Sequence, residues 1–168
     1  MAASTLVVVL ADTHLRDDVD RLPAEAWRRV RRADVILHAG DVVSAPLLDR
    51  LAEAAPVHAV LGNNDDRDLG QRLPERVAIE LDGVRIGMVH DSGARVGRER
   101  RLRRWFPTAD VVVFGHSHEP VDVVGVDGQR LFNPGSAVQR RRQPHRTLGE
   151  LRIRSGRVTA HRIVALGS

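Results

Sequence analysis

The chain contains no cysteine, no lysine and no tyrosine. Without cysteine there is no disulfide framework, which neither requires nor excludes a reducing compartment. Without lysine, all 26 basic residues of the 168 are arginine. A formal net charge of +4 and a pI near 11.1 would by themselves suggest a nucleic-acid binder. Arginine used to the exclusion of lysine, beside abundant alanine and valine, reads instead as GC-rich coding. An aromatic content of 3% also leaves few platforms on which bases could stack, so nucleic acid is not expected as an obligate partner. Long apolar runs are missing too: each is strand-sized and interrupted by Asp, Arg or Gly, which excludes a membrane-spanning helix. No basic segment precedes the first apolar run, and that run leads straight to Asp12, so it reads as a core strand rather than a signal peptide. The expected location is the cytoplasm. With no linker, low-complexity tract or solenoid repeat, residues 1–168 are expected to form one domain.

What the chain does have is a recurring design, in which an apolar strand ends at a polar residue able to ligate a metal. Leu6 to Leu10 runs into Asp12 and His14; Val35 to His38 runs into Gly40 and Asp41. Val57 to Leu61 closes on Gly62-Asn63-Asn64-Asp65, and Val84 to Val89 delivers His90. Val111 to Val113 leads to Gly115-His116-Ser117-His118, the most informative of the five. Side chains two apart on a strand share a face, so both imidazoles could serve neighbouring ions if the chain bends there. The anchors at 12, 41, 63, 90 and 116 recur about 22 to 29 residues apart, near the size of a strand-helix-strand unit. Open α/β sheets place their sites at such strand ends.

Helical spacing of Ala24, Trp27 and Val30 after Pro23 predicts a helix over 23–32. A second is expected after Ser44 as N-cap, with Leu47, Leu48 and Leu51 on one face, stopping before Pro56. Asp82-Gly83 predicts a hairpin between strands 76–81 and 84–89. A basic helix over 97–106 follows, its arginines read as a solvated face, then a hairpin near Asp127-Gly128 and two strands over 148–154 and 158–164. Strand and helix pattern alone supports α/β with antiparallel additions.

Asp12, His14, Asp41, Asn63, His90, His116 and His118 together make a candidate two-metal cage. Four imidazoles, two carboxylates and an amide suit Mn, Fe, Zn, Co or Ni better than Ca or Mg, which favour all-oxygen shells. Asp41 is the natural bridging carboxylate. Two such cations, about 3.5–4 Å apart, point to hydrolysis of a small phosphoester.

These motifs, Asp12-x-His14, Gly40-Asp41, Gly62-Asn63-x-Asp65, His90 and Gly115-His116-x-His118, resemble those of the calcineurin-like metallophosphoesterases. The short length and Asn133-Pro134-Gly135-Ser136 narrow the resemblance to the small phosphodiesterase branch typified by YfcE, which also includes the retromer subunit Vps29. It covers the chain from Leu6 to about Val164. The resemblance implies a four-layer α/β/β/α sandwich of two mixed sheets flanked by helices, and two divalent metals, manganese first among them. One would be held by Asp12, His14, Asp41 and His118, the other by Asp41, Asn63, His90 and His116. A hydroxide bridging them would attack phosphorus in line. The implied activity is that of a phosphodiesterase; a phosphomonoesterase, or a non-catalytic scaffold of the Vps29 kind, are the alternatives. Oligomerisation with further copies stays open, since related proteins assemble as dimers or larger.

Beyond the ligands, Asp41, Asn64, Asp65 and His38 are the candidate catalytic residues. Many family members have histidine where this chain has Asn64, which can donate a hydrogen bond but supplies no proton. Asp65 is expected to orient its loop or a ligand, and His38 to support the site or to be a satisfied core histidine. Asp91 stands where the family commonly has glycine. One of Arg140, Arg141 and Arg142 is a candidate for assisting an anionic substrate.

Overall fold

The computed structural model describes residues 3–167. Among these residues ten strands form two five-stranded mixed sheets. Sheet 1 takes β1 (Thr5–Leu10), β2 (Val35–His38), β3 (Val57–Ala59), β9 (Arg146–Arg154) and β10 (Arg157–Leu166) in the order β10-β9-β1-β2-β3. Sheet 2 takes β4 (Arg76–Leu81), β5 (Val84–Val89), β6 (Val111–Val113), β7 (Val121–Val124) and β8 (Arg130–Asn133) in the order β4-β5-β6-β8-β7. Within them β1, β2 and β3 run parallel, as do β5, β6 and β8.

Strand alternation explains the layering. On β1, Val7 and Val9 pack between the sheets, whereas Val8 and Leu10 face α1 (Ala24–Val30) and α2 (Ala45–Ala54). On β6, Val111 and Val113 join the inter-sheet core, and Val112 meets Leu102 and Phe106 at α4 (Arg98–Trp105). Each of these valines is buried, contributing about 1.5–3 kcal/mol by leaving water. The result is the expected α/β/β/α sandwich.

Most elements lie where sequence pattern puts them. The first helix spans Ala24–Val30, with Pro23 just before it, and ends two residues short of the expected 32. Ser44 occupies the N-cap position of α2, but its hydroxyl donates to the Arg16 carbonyl and leaves the helix end uncapped by a side chain. A short helix, α3 (Arg67–Arg72), was not expected; Asp66 caps it by accepting from the Leu69 amide at 3.0 Å. The basic helix α4 is not wholly solvated. Arg101 turns inward, donating from Nε to the Ser92 carbonyl at 2.7 Å and from its terminal nitrogen to the Ala94 carbonyl, which holds the loop after His90. No helix among the described residues is long and apolar enough to cross a membrane.

Candidate metal centre

All seven candidate ligands sit just beyond the C-terminal ends of five strands that belong to the parallel sets. The loop after β1 carries Asp12 and His14, that after β2 Asp41, and that after β3 Asn63; the loops after β5 and β6 carry His90 and the His116–His118 pair. Five of the seven have left-handed backbone: Asp12 (φ 53°), His14 (49°), Asp41 (56°), His116 (73°) and His118 (59°). Each non-glycine residue held there costs roughly 1–2 kcal/mol, so the surrounding structure enforces these turns. Their effect is to fold each strand end back over the sheet edge. Gly62 makes room: a Cβ there would lie 2.1 Å from the Asp41 amide nitrogen and 2.2 Å from its Oδ1.

The side chains converge. His14 Nε2 and His90 Nε2 lie 3.5 and 3.3 Å from Asp41 Oδ2. Asp12 Oδ1 lies 4.0, 3.9 and 3.7 Å from the Nε2 atoms of His14, His90 and His118. Asn63 Oδ1 is 2.9 Å from His90 Nε2 and 3.2 Å from His116 Nδ1. Two groups, Asp12 with His14 and His118, and Asp12 with Asp41 and His90, have ligand atoms close enough to share a cation. Asp12 as well as Asp41 therefore stands between the two halves. The His-x-His pair divides: His118 packs at a tilt against His14, ring centroids 5.1 Å apart, while His116 meets His90 edge-on at 5.3 Å.

The donor set fits a metal. Asp12 Oδ1, His14 Nε2 and His118 Nε2 are buried without a hydrogen-bond partner, although buried polar atoms are nearly always paired. The opposite ring nitrogens of two ligands are anchored. His90 Nδ1 bonds the Ala39 carbonyl at 2.7 Å, and His118 Nδ1 the Gln139 carbonyl at 2.6 Å. With Nδ1 as donor, each Nε2 is left a lone pair facing the pocket, the usual support of a metal-bound histidine.

Electrostatics agree with this for His14 and His118, whereas the His90 ring donates to Asp41 and a cation would displace that proton. Burial raises the Asp12 carboxyl to about 7. Burial also pushes up Asp41, but donors from His90 and Asn64 outweigh it and hold that carboxyl well below the usual range. Burial lowers His14 and His118, keeping both neutral and able to ligate. At His90 burial is outweighed by the Asp41 and Asp12 carboxylates, which raise it.

The other candidates lie around this cluster. Asn64 donates to Asp41 through both its backbone and its side-chain amide. Asp65 accepts from the Gly62 and Val43 amides, both at 2.7 Å, and so ties the loop after β3 to that after β2. His38 is fully buried, its Nε2 3.0 Å from the Thr13 hydroxyl, and burial lowers it to about 3. It supports the turn between Asp12 and His14 as a neutral ring. Asp91 Oδ2 stands 4.0 Å from His116 Nε2. With Glu75, Asp65 and Arg76 it lines a cleft of about 530 Å³ that opens beside Asn63 and His90. Two supports escaped sequence reading. Ser136 donates to the Asp12 carbonyl at 2.7 Å, and Asn133 donates to the Gly115 carbonyl at 3.1 Å; both lie in the Asn-Pro-Gly-Ser motif.

Residues 6–156 match the family model of the calcineurin-like phosphoesterase superfamily domain. The chain belongs to that superfamily. Among curated relatives of the chain is a probable metallophosphoesterase of Methanothermobacter thermautotrophicus, 35% identical over 133 residues, spanning 78% of this chain and 76% of the relative. Two solved structures share its fold. Vps29 of Entamoeba histolytica, complexed with zinc, superimposes with a TM-score of 0.76 at 22% identity, covering 96% of this chain and 98% of the other. An archaeal phosphodiesterase does so with a TM-score of 0.73 at 22% identity, covering 96% and 100%. The superfamily uses divalent metals, and the cluster described above supplies candidate ligands for them.

Proposed function

We propose that this calcineurin-like phosphoesterase is a dinuclear metal-dependent phosphodiesterase acting on a small phosphoester. The observation that carries the reading is the convergence of Asp12 Oδ1, His14 Nε2 and His118 Nε2, buried and unpaired, beside Asp41, His90 and Asn63. Asp12, His14, Asp41 and His118 would hold one cation; Asp41, Asn63, His90 and His116 the other. Manganese is the expected metal, and the same donors suit iron, zinc, cobalt or nickel. Bound divalent cations supply Lewis acidity, withdrawing charge from phosphoryl oxygens and acidifying water.

The chain's own residues argue for diesters. Asn64 offers no proton, so departure depends on an acidic leaving group or on protonation by water. Glu75 and Asp91 in the adjacent cleft oppose a dianionic monoester more than a singly charged diester. On the other side Arg141 is near enough for its charge to act on Asp12, His14 and His118. Of the 140–142 trio, Arg141 would be the one to attract the phosphate. The likeness to a phosphodiesterase fold supports the same reading.

The likeness to Vps29 favours a second reading, a protein-interaction scaffold. Because that structure also contains zinc, metal binding alone does not separate the two. Turnover does. Purified protein is titrated with Mn²⁺ in the presence of an aryl phosphodiester and, in parallel, the matching monoester. Diester turnover that disappears in His90→Ala supports the proposal. Metal-loaded protein inert towards both esters supports the scaffold, and monoester preference contradicts the part assigned to Asn64.

A further inference from the structure

A second cleft, of about 470 Å³, lies at the other end of β1 from the metal centre. Leu6 lines it, and Leu6 and Asp12 are six residues apart, roughly 20 Å at 3.3 Å per strand residue. Its walls carry Arg28, Arg29, Arg31, Arg32, Arg152 and Arg162 against two carboxylates, Glu25 and Glu150. The excess of four positive charges equals the formal net charge of the entire chain.

Both carboxylates are already engaged. Glu150, 6% exposed, accepts from Arg29 at 2.8 Å and from Arg162 Nε at 2.7 Å. Glu25 accepts from Arg29 at 3.1 Å and from the Gly167 amide at 3.0 Å. This network fixes the Arg29 and Arg162 guanidiniums in the cleft wall; Arg28 acts on Glu25 through its charge alone, and Arg31, Arg32 and Arg152 have no carboxylate partner among the described residues. Among the described residues Arg28, Arg31 and Arg32 form no ion pair, and Arg152 reaches only the Ser4 hydroxyl, at 3.4 Å. Among the described residues Arg29 Nε is buried with no acceptor. GC-rich coding accounts for arginine over lysine. It does not account for the gathering of four guanidiniums outside any ion pair around one concavity, where a bound anion would offset their mutual repulsion.

We infer that this cleft binds a small oligophosphate anion, at a site separate from the metal centre. Guanidinium groups pair with phosphate oxygens through two parallel hydrogen bonds, which a carboxylate-pinned arginine offers with little loss of freedom. The volume lies in the range of small-molecule sites, about 300–1,000 Å³, and a triphosphate matches the four-charge excess. Free inorganic triphosphate and the phosphate tail of a nucleotide share this chemistry.

The test is calorimetric titration of the full chain at low salt with inorganic tripolyphosphate and, separately, with ATP. Saturable one-to-one binding is expected. It persists in His90→Ala, and weakens about tenfold in Arg32→Gln and again in Arg152→Gln, the scale of one charged hydrogen bond. Equal affinity for both probes assigns recognition to the phosphates alone, and tighter ATP binding adds a contact to the nucleoside; either outcome supports the site. Binding that vanishes in His90→Ala yet ignores the arginine substitutions overturns it, placing the phosphate at the metal centre. Absence of binding by both probes at millimolar concentration overturns it too. Neither result bears on whether the metal centre hydrolyses diesters.

Discussion

Asn64 grips both oxygens of the Asp41 carboxylate, its backbone amide donating to Oδ1 and its side-chain amide to Oδ2, each at 2.8 Å. Oδ2 is also the atom that faces His14 and His90. Asn64 thus acts on the metal centre through the carboxylate expected to bridge it. Replacing Asn64 with alanine removes one of the two donors and should weaken metal binding by about one to two orders of magnitude, since losing a hydrogen bond to a charged group costs about 1.5–3 kcal/mol. Competition for Mn²⁺ with a fluorescent chelator measures this. Asn64→His should retain metal and reduce the dependence of rate on leaving-group acidity across a series of aryl diesters. An unchanged dependence would exclude proton delivery from this position.

Metal affinity should rise with pH up to about 7. Burial holds a proton on Asp12 to about that value, against 3.8 ordinarily, and a cation must displace it. Below pH 7 affinity should fall about tenfold per unit for that one proton. In chelator-treated protein the sign for stability is opposite. The folded state keeps a proton that the unfolded chain has lost, so the Asp12 contribution to stability declines as pH rises from about 4 to 7. His38 opposes it: buried and neutral down to about 3, it lowers stability as pH falls below 6.5. The clean observable is the rise in Tm produced by saturating Mn²⁺, which should grow between pH 5.5 and 7.5. A constant increment contradicts a protonated Asp12.

Gly62→Ala should abolish high-affinity metal binding, because the added methyl lies within 2.2 Å of both the Asp41 amide nitrogen and Oδ1. Relief requires Asp41 to move, and overpacking of this kind costs about 1–3 kcal/mol. The expected result is a folded protein by circular dichroism with a modestly lower Tm and at most weak Mn²⁺ binding. Wild-type affinity in this variant would show that the two loops separate without consequence.

Charge in the cleft beside His90 should govern the choice between esters. Removing carboxylates in Asp91→Asn and Glu75→Gln should improve kcat/KM for an aryl monoester by several-fold more than for the diester, because the dianion gains most from lost repulsion. The shift should shrink at high salt. Equal effects on both esters would remove the acidic wall from the explanation of specificity.

Strand ends were legible in the sequence because burial on both faces leaves continuous apolar runs, and the ligands are the first polar groups after them. The hairpin at Asp82-Gly83 carried its own turn chemistry. The short helix α3 was not legible: only Leu69 is buried along it, so no apolar periodicity marks it. The carbonyls of Ala39 and Gln139 that anchor His90 and His118 also leave no trace, since any residue supplies a carbonyl. The same holds for the left-handed turns at Asp12, His14 and Asp41, which tertiary contacts impose on residues with no strong local preference for them. Seven ligands were readable as residue types in order, and the family resemblance implied their division into two sets. That Asp12 as well as Asp41 stands between the halves emerged only from the structure.

Metal stoichiometry tests the central claim most directly. Protein dialysed against Mn²⁺ and analysed by plasma mass spectrometry should hold two ions per chain, His118→Ala and His90→Ala should each lose one, and anomalous scattering should place the pair between Asp12 and Asp41. A single ion that survives both substitutions, or ions found away from these side chains, would contradict the account.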